Sequence, residues 1–128
     1  DAQNDPDAIF VFLMESTLTT ASNSVVQVIN APYEGFCNKY FVCGSSATLG
    51  TDTDFEGTII ALTSITLNTG ADIWLGRALA RNGAVTLDDN EITNGTCNRD
   101  QIPEPGTCML FGLGLAAVLV IKRKRTPA

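Results

Sequence analysis

Histidine is absent from this sequence, which removes the commonest general base and the commonest zinc ligand. The groups left that could do chemistry are four cysteines, fourteen carboxylates and a recurring threonine. Cys37, Cys43, Cys97 and Cys108 form no C-x-x-C pair, which argues against a metal cage. Asp88, Asp89 and Glu91, with Asp52 and Asp54, have the charge a calcium ion wants. They lack EF-hand spacing and a glycine-rich calcium nonapeptide, so they read as solvated acidic surface, and no metal or cofactor is expected. Paired carboxylates for polysaccharide cleavage would need a groove between them, and no such pair is evident, so no catalytic residue is assigned and no enzyme is expected. Asn94-Gly95-Thr96 matches a glycosylation acceptor but reads more simply as a turn. What does recur is a hydroxyl. Thr17, Thr48, Thr66 and Thr86 each precede a leucine, and a repeated hydroxyl of that kind is suited to presenting a surface rather than to breaking bonds.

The elements that must position those threonines emerge from a repeat. "ESTLTTASN" from Glu15, "SATLGTDTD" from Ser46, "SITLNTGAD" from Ser64 and "AVTLDDNEI" from Ala84 superimpose without gaps on Leu18, Leu49, Leu67 and Leu87. The leucines are 31, 18 and 20 residues apart, and the longest interval holds the turn-rich insertion "NAPYEGFCNKY". A period of about 20 residues with β-branched content signals a solenoid. Strand alternation turns the leucines inward together with Ser16, Ala47, Ile65 and Val85, and turns Thr17, Thr48, Thr66 and Thr86 outward. Stacked coils would set those four threonines in a ladder with steps of about 4.8 Å. Threonine suits strands and bonds its neighbours across a sheet, yet Ser, Lys, Glu and Val would serve an outward position too, and none of them appears. "VVQVI", "GTIIAL" and "GRALA" supply further walls, and Gly, Asn, Asp and Ser supply corners. Trp74 reads as a packing cover on an outward or corner position.

Over Asp5 to Cys97, "DPDAIFVFLMESTLTTASNS", "CNKYFVCGSSATLGTDTDFEGTIIALTSITLNTGA" and "GRALARNGAVTLDDNEI" resemble the C-terminal coils of the ice-binding-like family. The resemblance implies an all-β fold, a right-handed β-helix of triangular cross-section, partial here, with a long α-helix along one side. That helix and several coils are expected upstream of Asp1, since the chain opens on Asp without a leader and reads as a fragment or processed product. It also implies an ice crystal surface as partner. Members that bind ice carry Thr-Ala/Gly-X-Thr/Asn on a flat face. Thr20, Ala21, Ser22 and Asn23 satisfy that pattern, Thr69, Gly70 and Ala71 satisfy it up to Asp72, and Thr51 and Thr53 keep their hydroxyls beside Asp52 and Asp54. The fourth coil, with Asp89, Asn90 and Glu91, has lost it. Carboxylates hold their own hydration, so these departures weigh against ordering water into a lattice. The family's cysteine pattern implies a disulfide between Cys37 and Cys97, closing a loop of about 60 residues. Cys43 departs from the pattern and is expected in the core as a small hydrophobe.

The chain ends differently. Cys108 to Ile121, "CMLFGLGLAAVLVI", carries no charge and runs straight into "KRKR". As a helix it would span roughly 21 Å, short of the ~30 Å hydrocarbon core, but bases at one end and no polar stripe fit membrane insertion with cytoplasmic lysines and arginines. Everything before Lys122 has four bases against fourteen acids, a net −10 that would repel nucleic acid. "PEPGTCMLFGLGLAAVLVIKRKR" resembles the PEP-CTERM sorting signal of Gram-negative bacteria, with Pro103, Glu104 and Pro105 as its motif. That implies an exosortase as partner, a transient membrane anchor and delivery to the cell surface or outside it. The expected organisation is therefore β-helix over 1–97, linker over 98–102, and sorting signal over 103–125, with a membrane helix over 107–121 and a basic tail over 122–125. Two functions remain open: an exported ice binder, or a structural or adhesive component of extracellular polymer that keeps the fold without ice affinity, which Asp52, Asp54 and Asp72 favour.

Overall fold

The structure, a computed structural model, describes residues 1–95, and all of its regular elements there are strands. The expected linker, sorting motif and C-terminal helix lie outside the described residues, as does Cys97. No helix among the described residues is long and apolar enough to cross a membrane.

Twelve short strands wind through three parallel sheets in strict rotation. Sheet A stacks β1 (Phe10–Met14), β4 (Lys39–Cys43), β7 (Thr58–Ala61) and β10 (Ala78–Ala80). Sheet B stacks β2 (Leu18–Thr19), β5 (Ala47–Leu49), β8 (Ile65–Leu67) and β11 (Val85–Thr86). Sheet C stacks β3 (Val25–Val26), β6 (Asp54–Glu56), β9 (Asp72–Trp74) and β12 (Ile92–Thr93). One strand from each sheet makes a coil, so the described unit is a three-sided β-solenoid, as the repeat implied.

Alternation fills the interior. Ala47, Leu49, Ile65 and Leu67 from sheet B, Phe55 and Ile73 from sheet C, and Cys43, Ile59 and Ala61 from sheet A form one buried cluster. Like sits on like, with Leu49 over Leu67 and Phe55 over Ile73. Parallel ladders with evenly spaced bonds permit this, because equivalent residues repeat at each coil. Cys43 takes its place in the stack as a small hydrophobe, and burial pushes its thiol pKa up against a weaker opposing pull from a backbone bond at Leu18. The last described coil is thinner, with Val85, Leu87 and Ile92 partly exposed.

Corners need special backbone. Between sheets B and C, Asn23, Asp52, Gly70 and Asp89 all adopt positive φ, the region that Gly, Asn and Asp tolerate best. Between sheets C and A, a Cβ at Gly76 would overlap the Gly57 carbonyl, so coils two and three approach there as only glycine allows. The insertion falls between β3 and β4, where it buries Phe36 against Phe10 and Tyr33.

One expectation of register is corrected. The leucine superposition put Thr17 beside Thr48, but Leu18 pairs with Ala47 and Thr19 with Thr48. The first coil is thus two residues out of the sequence alignment. A slip of two preserves the faces, so Thr17 stays outward and stands in line with Ser46.

Candidate functional site

Each sheet turns one face to solvent, and the three faces differ in chemistry. From sheet A project Val11, Leu13, Val42, Ile60 and Leu79, with Leu13 exposed to 77 %. A groove of about 580 Å³ runs beside these side chains. From sheet C project Val25, Asp54 and Asp72 in one column and Glu56, Trp74 and Thr93 in the next. From sheet B project Thr19, Thr48, Thr66 and Thr86, a four-residue column in continuous register. Beside it Ser46 and Ser64 share a hydrogen bond at 3.2 Å, on the same side of the strands. No strand of sheet B carries an acid or a base.

Sheet B is therefore a neutral lattice of hydroxyls and methyls. Steps along the column are about 4.8 Å, and alternate residues on one strand stand about 6.6 Å apart. The rotamers of threonine are restricted by branching at Cβ, so the hydroxyls of such a column are held in similar orientations. Of the expected ladder, Thr48, Thr66 and Thr86 stand in it, and Thr19 takes the place given to Thr17.

The residues of the Thr-Ala/Gly-X-Thr/Asn pattern do not stand on that face. They form the corner that leads from sheet B to sheet C. Thr53 is 0 % exposed: its hydroxyl donates to the Ala21 carbonyl at 3.2 Å and shares a hydrogen bond with the Thr20 hydroxyl at 3.0 Å. Thr20 also accepts the Gly50 N–H at 2.8 Å. Ala71 is likewise 0 % exposed, one coil on from Thr53. Thr53 and Ala71 are thus buried where the chain turns through the corner, and Thr20, half-buried, has its hydroxyl bonded to that of Thr53. Asn23 and Gly70 are the positive-φ corner residues themselves. Ala21, Ser22 and Thr69 are exposed and Thr51 is half-buried, so these four lie along the rim of sheet B. Thr69 donates to the Asp88 carboxylate, and the Asn90 amide donates to the carbonyls of Asn68 and Ala71 at 2.8 Å. The fourth coil has thus exchanged the pattern for side chains that close its corner onto the third.

The acids take up distinct positions. Asp54 and Asp72 stack on sheet C, facing away from the threonine column, and Asp72 accepts the Glu91 N–H at 2.7 Å. Asp52 remains at the corner between sheets B and C, as do Asp88 and Asp89. Among the described residues no group of three or more ligating side chains could hold a metal.

Sequence reasoning overlooked one polar pair. Lys39 lies on an inward position and is 2 % exposed, with its ammonium 3.0 Å from Glu56 Oε2 and 6.0 Å from the centre of the Phe36 ring. Glu56 Oε2 also accepts the Val28 N–H at 3.1 Å. The only available signal was the alternation itself, which places Lys39 in phase with Phe41 and Cys43. The sulfur of Cys37 lies 3.8 Å from the Asn94 carbonyl, three residues before Cys97 in the chain.

Two family descriptions match the chain: ice-binding-like over residues 1–93, and PEP-CTERM protein-sorting motif over residues 101–125. An ice-binding protein of Nostoc sp. (strain HG1) is 50 % identical over 130 residues, covering 98 % of this chain and 47 % of the relative. Ice-binding protein 1 of Shewanella frigidimarina (strain NCIMB 400) is 33 % identical over 94 residues, covering 73 % of this chain and 10 % of the relative. A crystal structure of an ice binding protein from an Antarctic biological consortium aligns with TM-score 0.66 at 49 % identity, over 72 % of this chain and 40 % of that one. The crystal structure of the ice-binding protein of the Antarctic ascomycete Antarctomyces psychrotrophicus aligns with TM-score 0.64 at 39 % identity, over 70 % and 42 %. The chain spans about half the length of the Nostoc relative.

Inward and outward threonines should respond differently to loss of the hydroxyl. Thr53→Val is expected to cost about 1 kcal/mol or more, because the fully buried hydroxyl's bonds to the Thr20 hydroxyl and the Ala21 carbonyl are both lost. Thr48→Val keeps the strand's β-branched shape and should stay within about 0.5 kcal/mol. Urea unfolding of both variants measures the difference, and equal losses would contradict the placement of Thr53.

Proposed function

The chain belongs to the ice-binding-like family, and from that premise we propose that it adsorbs to ice through the outward face of sheet B. The observation that carries the reading is the column Thr19, Thr48, Thr66 and Thr86, in register on strands without a charge. A regular array of methyls and hydroxyls can hold water in a lattice, whereas a carboxylate keeps its own hydration and disrupts one. Thr17, Ser46 and Ser64 widen the array, and the rim residues Ala21, Ser22, Thr51 and Thr69 border it. The reading involves no catalysis and no cofactor. It departs from the family's motif residues in giving the contact to the strand threonines and a supporting role to Thr20 and Thr53.

The alternative, a polymer component without ice affinity, drew its support from Asp52, Asp54 and Asp72. Two of those three project from sheet C, away from the threonines, so that support is much reduced. The apolar face of sheet A suits the long helix that accompanies these coils in the family, since exposed aliphatic side chains of this extent call for a cover.

The PEP-CTERM match indicates export in a Gram-negative bacterium, to the surface or beyond. The finer steps proposed are recognition of Pro103, Glu104 and Pro105 by an exosortase, transient insertion of 107–121 in the membrane, and orientation by Lys122 to Arg125. A Cys37–Cys97 disulfide would tie the insertion to the end of the solenoid.

Two outcomes follow. Thr48→Tyr and Thr66→Tyr, each placing a ring above the lattice, should abolish ice shaping and recrystallisation inhibition at micromolar protein, while Leu79→Tyr on sheet A should not; a wild-type protein that shapes no ice would refute the proposal. Deletion of Lys122 to Arg125 should misroute or release the protein, as read by cell fractionation, and unchanged localisation would refute the sorting role.

A further inference from the structure

Sheet C carries a feature that adsorption to ice does not use. Trp74, the single tryptophan of the sequence, stands on an outward position of β9 and is 36 % exposed. Large aromatics are usually covered, and among the described residues Trp74 stacks on no other ring. Beside it lies a recess of about 250 Å³ lined by Val25, Gln27, Asp54, Glu56 and Trp74, with Val26 at its floor. Its walls come from three successive coils, with Val25 and Gln27 on the first, Asp54 and Glu56 on the second, and Trp74 on the third.

One carboxylate of the recess is firmly anchored. Glu56 is pinned through Oε2 by the buried Lys39 ammonium at 3.0 Å and the Val28 N–H at 3.1 Å. Its Oε1 has no hydrogen-bond partner among the described residues. Asp54 Oδ1 lies 3.5 Å from the indole nitrogen of Trp74, at the long limit of a hydrogen bond from its N–H. The next residue, Leu75, adopts φ of 51°, a conformation costing a β-carbon residue roughly 1–2 kcal/mol. Gly57 takes the corresponding place one coil earlier with φ of 129°. Strain next to an exposed aromatic is the kind of local cost that accompanies working surfaces.

We infer that this recess binds a neutral sugar ring, making sheet C a saccharide-binding face separate from the ice-binding face. The indole offers an apolar plane for the C–H face of a pyranose. Asp54 and Glu56 accept hydrogen bonds from its hydroxyls, and the Gln27 amide donates and accepts at the opposite rim. The volume lies below the ~300 Å³ at which drug-sized pockets begin, so it suits one ring of a longer chain left to run out over the sheet. Neutral rather than acidic glycans fit, because Asp54, Asp72 and Glu91 would repel a polyanion. A small quaternary cation fits less well: the Glu56 charge is already matched by Lys39, and a cation leaves the Gln27 donors unused. The two faces belong to different sheets, so an exported chain could hold polymer on one and ice on the other. The inference does not depend on the ice-binding reading.

Because Trp74 is the sole tryptophan, its own fluorescence reports occupancy. Titrating the full-length chain with cellohexaose, laminarihexaose and dextran oligosaccharides should give a saturable shift in emission with at least one of them, half-complete at about 1 mM. Asp54→Asn, which keeps the shape, should weaken that binding about fivefold or more. Trp74→Ala should abolish it by calorimetry and Trp74→Phe should partly restore it, with circular dichroism verifying the fold of each. Ice shaping should survive Trp74→Ala, and the fluorescence response should survive Thr66→Tyr. No saturable shift with any of the three sugars, or a shift with choline chloride alone, would overturn the inference.

Discussion

Each coil is positioned by the parallel backbone ladder it makes with the next. Leu18 N–H bonds the Ser46 carbonyl at 3.1 Å, Ala47 N–H bonds that of Ser64 at 2.9 Å, and Ile65 N–H bonds that of Ala84 at 3.0 Å, so that every step along the solenoid is bonded. A coil of 18 to 20 residues encloses too few inward side chains to make a core alone. It becomes stable only by stacking, so that Ile65 lies on Ala47 and Leu67 on Leu49, and stability is a sum over neighbouring coils. The ladder sets the spacing of every side chain, inside and out. Glycines at Gly44 and Gly76 mark where the backbones of successive coils come closest: a Cβ on Gly44 would lie 2.3 Å from the Glu15 carbonyl oxygen.

Once the ladder is set, the three outward faces are free to differ, because a strand's outward residues take no part in the core. Sheet A presents aliphatic side chains, sheet B hydroxyls and methyls, sheet C carboxylates and one indole. The negative charge gathers on sheet C and at the corner it shares with sheet B, in Asp52, Asp88 and Asp89. Sheet B strands are left neutral, which is the condition a surface must meet to order water rather than bind ions. The buried Lys39 serves this division from within, neutralising Glu56 from the core side so that an acidic face can be built on a small apolar interior.

The solenoid was readable from the sequence because its period, its inward leucines and its outward threonines are all local patterns. Thr48, Thr66 and Thr86 follow from alternation alone. Thr17 was misplaced because the leucine alignment matched Leu18 with Leu49, whereas the insertion between β3 and β4 lets the first coil settle two residues away, with Leu18 on Ala47. The same insertion hid that "VVQVI" belongs to sheet C and "GTIIAL" to sheet A. The corner residues were harder. Thr20 and Thr53 resemble surface threonines in type, and only the course of the chain through a positive-φ turn directs their hydroxyls inward to one another. The Lys39–Glu56 pair joins residues 17 apart on different sheets, a proximity that no local pattern encodes.

The central claim is a register: the outward threonines of successive coils stand side by side as Thr19, Thr48, Thr66 and Thr86. Paired cysteines at Thr19 and Thr48, treated with dibromobimane, which fluoresces on bridging adjacent thiols, test it against the alternative pair at Thr17 and Thr48, with the parent protein as background. Thr19 and Thr48 should lie about 4.8 Å apart and bridge, while Thr17 and Thr48, near 8 Å, should not. Bridging at 17 and 48 with none at 19 and 48 would contradict the account.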